Sequence, residues 1–328
     1  MEVFTIRMED MLETLKRKII IGMLPVALAA TCGLSEDDDS GVGMDEPKKT
    51  LPQNAYRSKR LGDEAFYNGN YSDAIKYYKQ YKNDTSRVAE ELERAYEALI
   101  TSYINAYDEE NADAELKNYI VDVGAGIEKL DYFNAEIHRI KKDYDKAIPL
   151  YYKVLKAVRP SNRIYFSTLN GLGLSFEKKS TWDKAILVYS TIESDCPNAG
   201  WRLRAAKQKL FAMIMAEKYD EVEAILKSPP KFSRSSDKID LGLFKVFILA
   251  NKNKFLELDL LYKKIRASIQ VESYHLCYKV DIVVAKALIE NKEGKAALDY
   301  LRDAYTFATN ANDRQNALRM TINTYVEI

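Results

Sequence analysis

The side chains of this chain that could do chemistry are few and far apart. Cys196 and Cys277 lie 81 residues apart (277 − 196), neither in a CxxC pair, and the only two histidines, His138 and His275, stand alone. A zinc site needs three or four such ligands at close spacing, so these residues read as buried thiols and ordinary helix positions, and no metal site is expected. The sequence holds no phosphate-cradling G-x-x-x-x-G-K-[ST], no G-x-G-x-x-G, no H-E-x-x-H and no G-x-S-x-G. Its carboxylates are interleaved with Lys and Arg along helical stretches, the pattern of a solvated helix exterior rather than of paired acid and base. No catalytic residue and no cofactor is therefore expected.

Cys32 is the exception, because of what surrounds it. Lys16-Arg17-Lys18 precedes IIIGMLPVALAAT, a thirteen-residue apolar run broken by Pro25, and Cys32 follows directly. A membrane-spanning helix needs about twenty apolar residues, whereas a basic region, a short apolar stretch and small residues before a cut describe a secretory signal over residues 1–31. Met1, Met8 and Met11 are alternative starts; Met8 leaves the acidic Glu2 outside the leader, and Met11 leaves out Glu9 and Asp10 as well. Ala29-Ala30-Thr31-Cys32 resembles the lipobox of bacterial lipoproteins, although Leu28 stands four places before the Cys instead of three. The resemblance implies lipidation of Cys32 and attachment to a membrane, with Gly33 pointing to the outer membrane; an ordinary cut after Ala27-Leu28-Ala29 would release a secreted protein instead. Residues 32–54, acidic and bearing Gly, Ser and Pro, read as a flexible tether with a reach of about 25 Å.

From Ala55 to Ile328 the chain carries a helical period throughout, and no stretch alternates as a strand does. Leu61-Gly62, Gly69, Tyr71, Ala74 and Tyr78 resemble a tetratricopeptide unit, two antiparallel helices A and B whose small residues mark their crossing. Small or marker residues of helix B recur at Ala74, Ala147, Ala185, Val222, Leu258 and Ala297, with gaps of 73, 38, 37, 36 and 39 residues. The first gap should hold one further unit, roughly Val88 to Leu130, in which Gly124-Ala125-Gly126 reads as a kink or a close helix contact. The expected fold is all-α: an α-α superhelix of about seven pairs plus a C-terminal capping helix. That last helix is expected to turn Leu318, Ile322 and Tyr325 inward and Arg319, Asn323 and Glu327 to water.

Members of that family bind partners along the concave surface lined by their A helices. Offsets from the markers place Lys59, Asp63 and Phe66 there in the first unit, Tyr132, Glu136 and Arg139 in the third, and Asn170, Leu174 and Glu177 in the fourth, with Phe211 and Phe247 further on. Asp63, standing where Asn would serve, disfavours capture of a peptide carboxylate, so an extended or helical protein segment is the expected partner. With Lys+Arg 49 against Asp+Glu 49 there is no overall attraction to nucleic acid. Most of the 23 Tyr are expected in packing positions. Anchor, tether and repeats together resemble the lipoprotein of the outer-membrane β-barrel assembly machine and the lipoproteins that assist pilus secretins, which implies a non-enzymatic envelope scaffold. A surface module for a glycan or other ligand is the alternative.

Overall fold

The computed structural model describes residues 53–85, 90–124, 126–227, 235–269 and 273–328. The leader and the tether lie outside these residues, apart from Gln53 and Asn54, which open the first helix. Among the described residues there are fifteen α-helices and no strand, in two compact units that divide between Ile192 and Glu193.

The first unit holds four pairs: α1 (Gln53–Tyr67) with α2 (Tyr71–Asn83), α3 (Glu90–Asn105) with α4 (Glu109–Asp122), α5 (Ile127–Ile140) with α6 (Tyr144–Ala157), and α7 (Arg163–Lys178) with α8 (Trp182–Asp195). The second holds α9 (Ala199–Met215) with α10 (Tyr219–Lys227), α11 (Ser235–Asn251) with α12 (Phe255–Ala267), α13 (Tyr274–Glu290) with α14 (Gly294–Phe307), and α15 (Ala311–Glu327). Seven pairs and one further helix match the architecture expected from the sequence.

All seven pairs are joined by the same turn. It is three residues long in each case, and its middle residue is left-handed: Gly69, Tyr107, Lys142, Ser180, Glu217, Asn253 and Lys292, with φ between 55° and 72°. The next residue donates its N–H back to the carbonyl five residues earlier, as Asn70 does to Ala65 and Asp143 to His138, both at 2.9 Å. That is the Schellman arrangement, which satisfies carbonyls orphaned at the end of helix A. The same residue's own carbonyl then accepts the first bond of helix B, as Asn70 does from Ala74 at 3.0 Å and Asp143 from Ala147 at 3.0 Å. The left-handed residue therefore always stands five places before the marker, whatever its side chain.

This regularity phases the second unit, which the sequence placed only roughly between Val88 and Leu130. Tyr107 implies a marker at Ala112, fully buried, with Leu116 and Tyr119 buried one and two turns later. Gly124 (φ 72°) and Gly126, the residue capping α5, belong to the link between the second and third pairs, so they form no kink within a helix.

At the crossings, glycine makes room for tyrosine. A Cβ on Gly62 would come within 2.6 Å of the Tyr78 ring, and one on Gly173 within 2.6 Å of Tyr189. Gly171, two residues from Gly173, does the same for Tyr151 of the preceding pair at 2.6 Å. One short Gly-Leu-Gly stretch thus lets α7 approach both its own B helix and its neighbour's. Tyr78, Tyr81, Tyr96, Tyr119, Tyr151 and Tyr189 are the largest fully buried side chains among the described residues, in keeping with packing roles for the tyrosines.

The final helix is present and turns Arg319, Asn323 and Glu327 to water as expected, but the apolar stripe is not its buried face. Ala317 and Thr324 are the buried residues of α15, while Leu318, Ile322 and Tyr325 are 50%, 54% and 65% exposed. Small side chains decide the contact: Ala317 brings α15 close to α14, and the Thr324 hydroxyl can be buried because it donates to the Met320 carbonyl at 2.8 Å. An apolar stripe in a sequence shows which side chains favour burial, not which side the neighbouring helix can reach.

Candidate functional site

The A helices of the third and fourth pairs carry the densest group of candidate residues. Glu136 of α5 is buried, and its carboxylate is the first thing a Cβ on Gly171 of α7 would strike. The two A helices are therefore in direct contact, and Glu136 lies across their seam. Its Oε1 accepts from the Tyr151 hydroxyl at 2.6 Å, and its Oε2 accepts from Arg139 Nε at 3.0 Å. A buried carboxylate with this set of donors fixes the guanidinium in place.

A related arrangement occurs in the first pair. Asp63 accepts from the Tyr78 hydroxyl at 2.7 Å, and the separation of acid and tyrosine is fifteen residues in both pairs (78 − 63; 151 − 136). Burial pushes the Asp63 carboxyl upward, opposed by the Tyr78 bond and by the charge of Lys59. In the fourth pair the equivalent position holds Leu174, which cannot accept, and the acceptor for Tyr189 is Glu177, one turn later. Glu177 is held in a less polar place. Burial raises its carboxyl to about 7, the Tyr189 bond only partly offsetting this, and its Oε1 is buried without a partner. Asn170 and Leu174 remain partly exposed beside it.

Phe66 has only 2% of its surface exposed and meets Tyr71 edge-on at 5.5 Å between centroids. Tyr132 is 9% exposed and lies against Phe133 at 5.3 Å. These two rings are committed to packing, so truncating either would disturb the fold before it reported on a ligand. In the second unit Phe211 and Phe247 are likewise buried, at 6% and 7% exposed. The accessible part of the candidate surface is thus narrower and more polar than the sequence suggested.

The structure adds a charged ladder that sequence offsets missed. Lys129 of α5 reaches Glu93 at 2.8 Å and Glu97 at 2.7 Å on α3, and Arg163 of α7 approaches Glu97 at 3.6 Å. With Ala112 as marker, Glu97 occupies the register position of Lys59, Tyr132 and Asn170, so the signal was present once the second pair was phased. Among the described residues no group of three or more His, Cys, Asp or Glu side chains could hold a metal ion. No helix among them is long and apolar enough to cross a membrane.

Helix pairs with small residues at their crossings, a conserved turn geometry and A helices in mutual contact define an α-α superhelix of the tetratricopeptide type. The chain has the fold of a tetratricopeptide repeat protein from Parabacteroides merdae, known from its crystal structure. The two align with a TM-score of 0.52 at 14% identity, over 83% of this chain and 100% of that one. The alignment with the TPR2AB domain of yeast Sti1, solved as a complex with pHSP90, covers 83% of this chain and 97% of that one at 16% identity, with a TM-score of 0.27. The sequence matches no protein-family model and no curated protein.

Proposed function

We propose that this protein is a non-enzymatic scaffold that binds a protein segment along the A helices of its first unit and is held at a bacterial membrane, the outer one, through lipidated Cys32. The observation that carries the binding reading is the seam between α5 and α7. There Glu136 and Arg139 form a rigid, fully partnered floor, and Asn170 and Leu174 stand partly exposed at its side. A floor whose charges are already neutralised holds its shape without a ligand, so a partner meets a preorganised surface. Apolar contact at Leu174 and hydrogen bonding at Asn170 suit a segment with mixed side chains, in extended or helical form. The leader-like run and the Cys at its foot support the anchor, and the acidic tether would set the scaffold off from the bilayer.

A photo-crosslinking amino acid placed at Asn170 tests this in intact cells. It should capture a discrete partner, while the same probe at Leu187, 70% exposed on α8, should not. Equal yields from both positions, or none from Asn170, would remove the groove assignment.

A further inference from the structure

Two cations at the turn edge of the third and fourth pairs have no counter-charge. Lys142, the left-handed residue of the third turn (φ 63°), and Lys178, in the last turn of α7, are both exposed. Their neighbours are matched: Arg139 by Glu136, Lys146 by Asp143 at 2.8 Å, and Lys179 by Asp145. Among the described residues neither the Lys142 nor the Lys178 ammonium has a hydrogen bond or an ion pair. The two belong to one cluster, because the charges of Arg139 and Lys142 both reach Lys178. Its ammonium is held below the usual value, by burial first, with Glu177 opposing and the two cations adding to the fall. Glu177 is a weak counter-ion at neutral pH, since its own carboxyl is raised to about 7.

The chain itself holds a complement. Glu36-Asp37-Asp38-Asp39 is its one uninterrupted run of four acids, and it precedes Gln53, where the first helix begins. We infer that this run docks on Lys142 and Lys178 of the same molecule and covers the turn edge beside Asn170 and Leu174. Reach permits it. Fourteen residues separate Asp39 from Gln53 (53 − 39), which extended span about 48 Å. Lys178 stands seven residues before its marker (185 − 178), level with Tyr67 of α1 (74 − 67), so it lies about 21 Å along the helix direction from Gln53. Three steps between neighbouring A helices, at about 10 Å each, make the direct distance about 37 Å. A flexible linker of this length keeps its end at about millimolar effective concentration, so contacts too weak to hold a free acidic peptide suffice within one chain. Attraction between the acidic run and the two unmatched lysines acts over about 10 Å at 0.1 M salt. The contact is therefore reversible and salt-sensitive, and the tether keeps its reach while the run is free. It does not depend on the groove reading, because the run docks whether or not a partner segment binds.

Carbodiimide coupling of the full chain carrying Cys32→Ala, in neutral detergent, tests this without an acyl chain or a disulfide at Cys32. The reagent condenses a carboxylate and an amine in contact into an amide and leaves as a urea. Peptide mapping of the monomer in about 20 mM salt should find Lys142 or Lys178 joined to Glu36, Asp37, Asp38 or Asp39. The yield should fall at least about fivefold in about 500 mM salt, where the screening length shrinks to about 4 Å. Lys156 is the control, exposed in the last turn of α6 and so at the end of the pairs where the tether begins. It should be joined to the run at least about fivefold less, although proximity to the tether favours it. Equal joining of Lys156 would overturn the inference. Absence of the expected amides at low salt would also overturn it, leaving the two lysines to an acidic segment of another protein. Amides confined to covalent dimers would do so too, by placing the run of a second copy in the site.

Discussion

Substituting Gly173 by Ala should expose the logic of the helix crossing. The added methyl would lie 2.6 Å from Tyr189 Cε1, 2.7 Å from Cζ and 3.1 Å from the hydroxyl oxygen. Carbon atoms in contact settle at about 3.5–4.0 Å, so the ring must retreat by about 1 Å. It has nowhere easy to go, because Tyr189 is fully buried and its hydroxyl is tied to Glu177. Overpacking of this kind costs about 1–3 kcal/mol. Ala is at the same time the better helix former, by about 1 kcal/mol in a helix interior. The net loss in the wild-type background should then be about 0–2 kcal/mol, a range too wide to be diagnostic alone. The informative measurement is therefore the coupling. In a Tyr189→Leu background the outer ring atoms are gone, the clash vanishes and only the propensity gain survives, so Gly173→Ala should become stabilising by up to about 1 kcal/mol. The coupling energy should be about 1–3 kcal/mol. Urea unfolding followed by circular dichroism gives the totals, and amide exchange within α7 and α8 guards against units that unfold separately. An equal effect of Gly173→Ala in both backgrounds would show that the glycine is not there for the tyrosine.

Other expectations follow from the same contacts. The Glu177 carboxyl is raised to about 7 from 4.5, so between these values the folded state holds a proton that the unfolded state has lost. Its contribution is fully present below about 4.5 and fades as pH rises through about 7, with a slope of at most about 1.4 kcal/mol per pH unit. Glu177→Gln should therefore gain stability relative to the wild type between pH 5 and pH 8, and a constant difference in urea midpoint across that range would contradict the assignment. Lys142→Gly and Gly69→Ala, at equivalent left-handed positions (φ 63° and 72°), should shift thermal stability in opposite directions, up and down respectively by about 1 kcal/mol at most; shifts of the same sign would refute the shared-turn reading. Cys32→Ala should release the protein from the membrane fraction and abolish fatty-acid labelling, and unchanged membrane retention would remove the anchor.

The repeat was legible because its markers sit where backbones cross and bulk is excluded: Gly62, Ala74, Gly173 and Ala185 could be read directly. The second pair was expected but could not be phased, because it has no glycine at the crossing and its turn carries Tyr107, a residue with no sequence signature for a left-handed conformation. Offset alone cannot say whether a ring is free or already packed, and Phe66 and Tyr132 proved to be packed. The Glu177 environment was legible only in retrospect. Leu174 leaves Tyr189 without the acid that Asp63 and Glu136 supply elsewhere, and the substitute must come from one turn along.

The uniform three-residue turn has a mechanical consequence. With both helix ends fastened by the same residue, the joint within each pair is closed by hydrogen bonds, whereas the links between pairs are of unequal length. Those links differ, with three residues between α8 and α9, five between α6 and α7, and six between α12 and α13. Under tension such a chain should yield at the links first, shedding whole pairs one after another while the helices within each stay clasped.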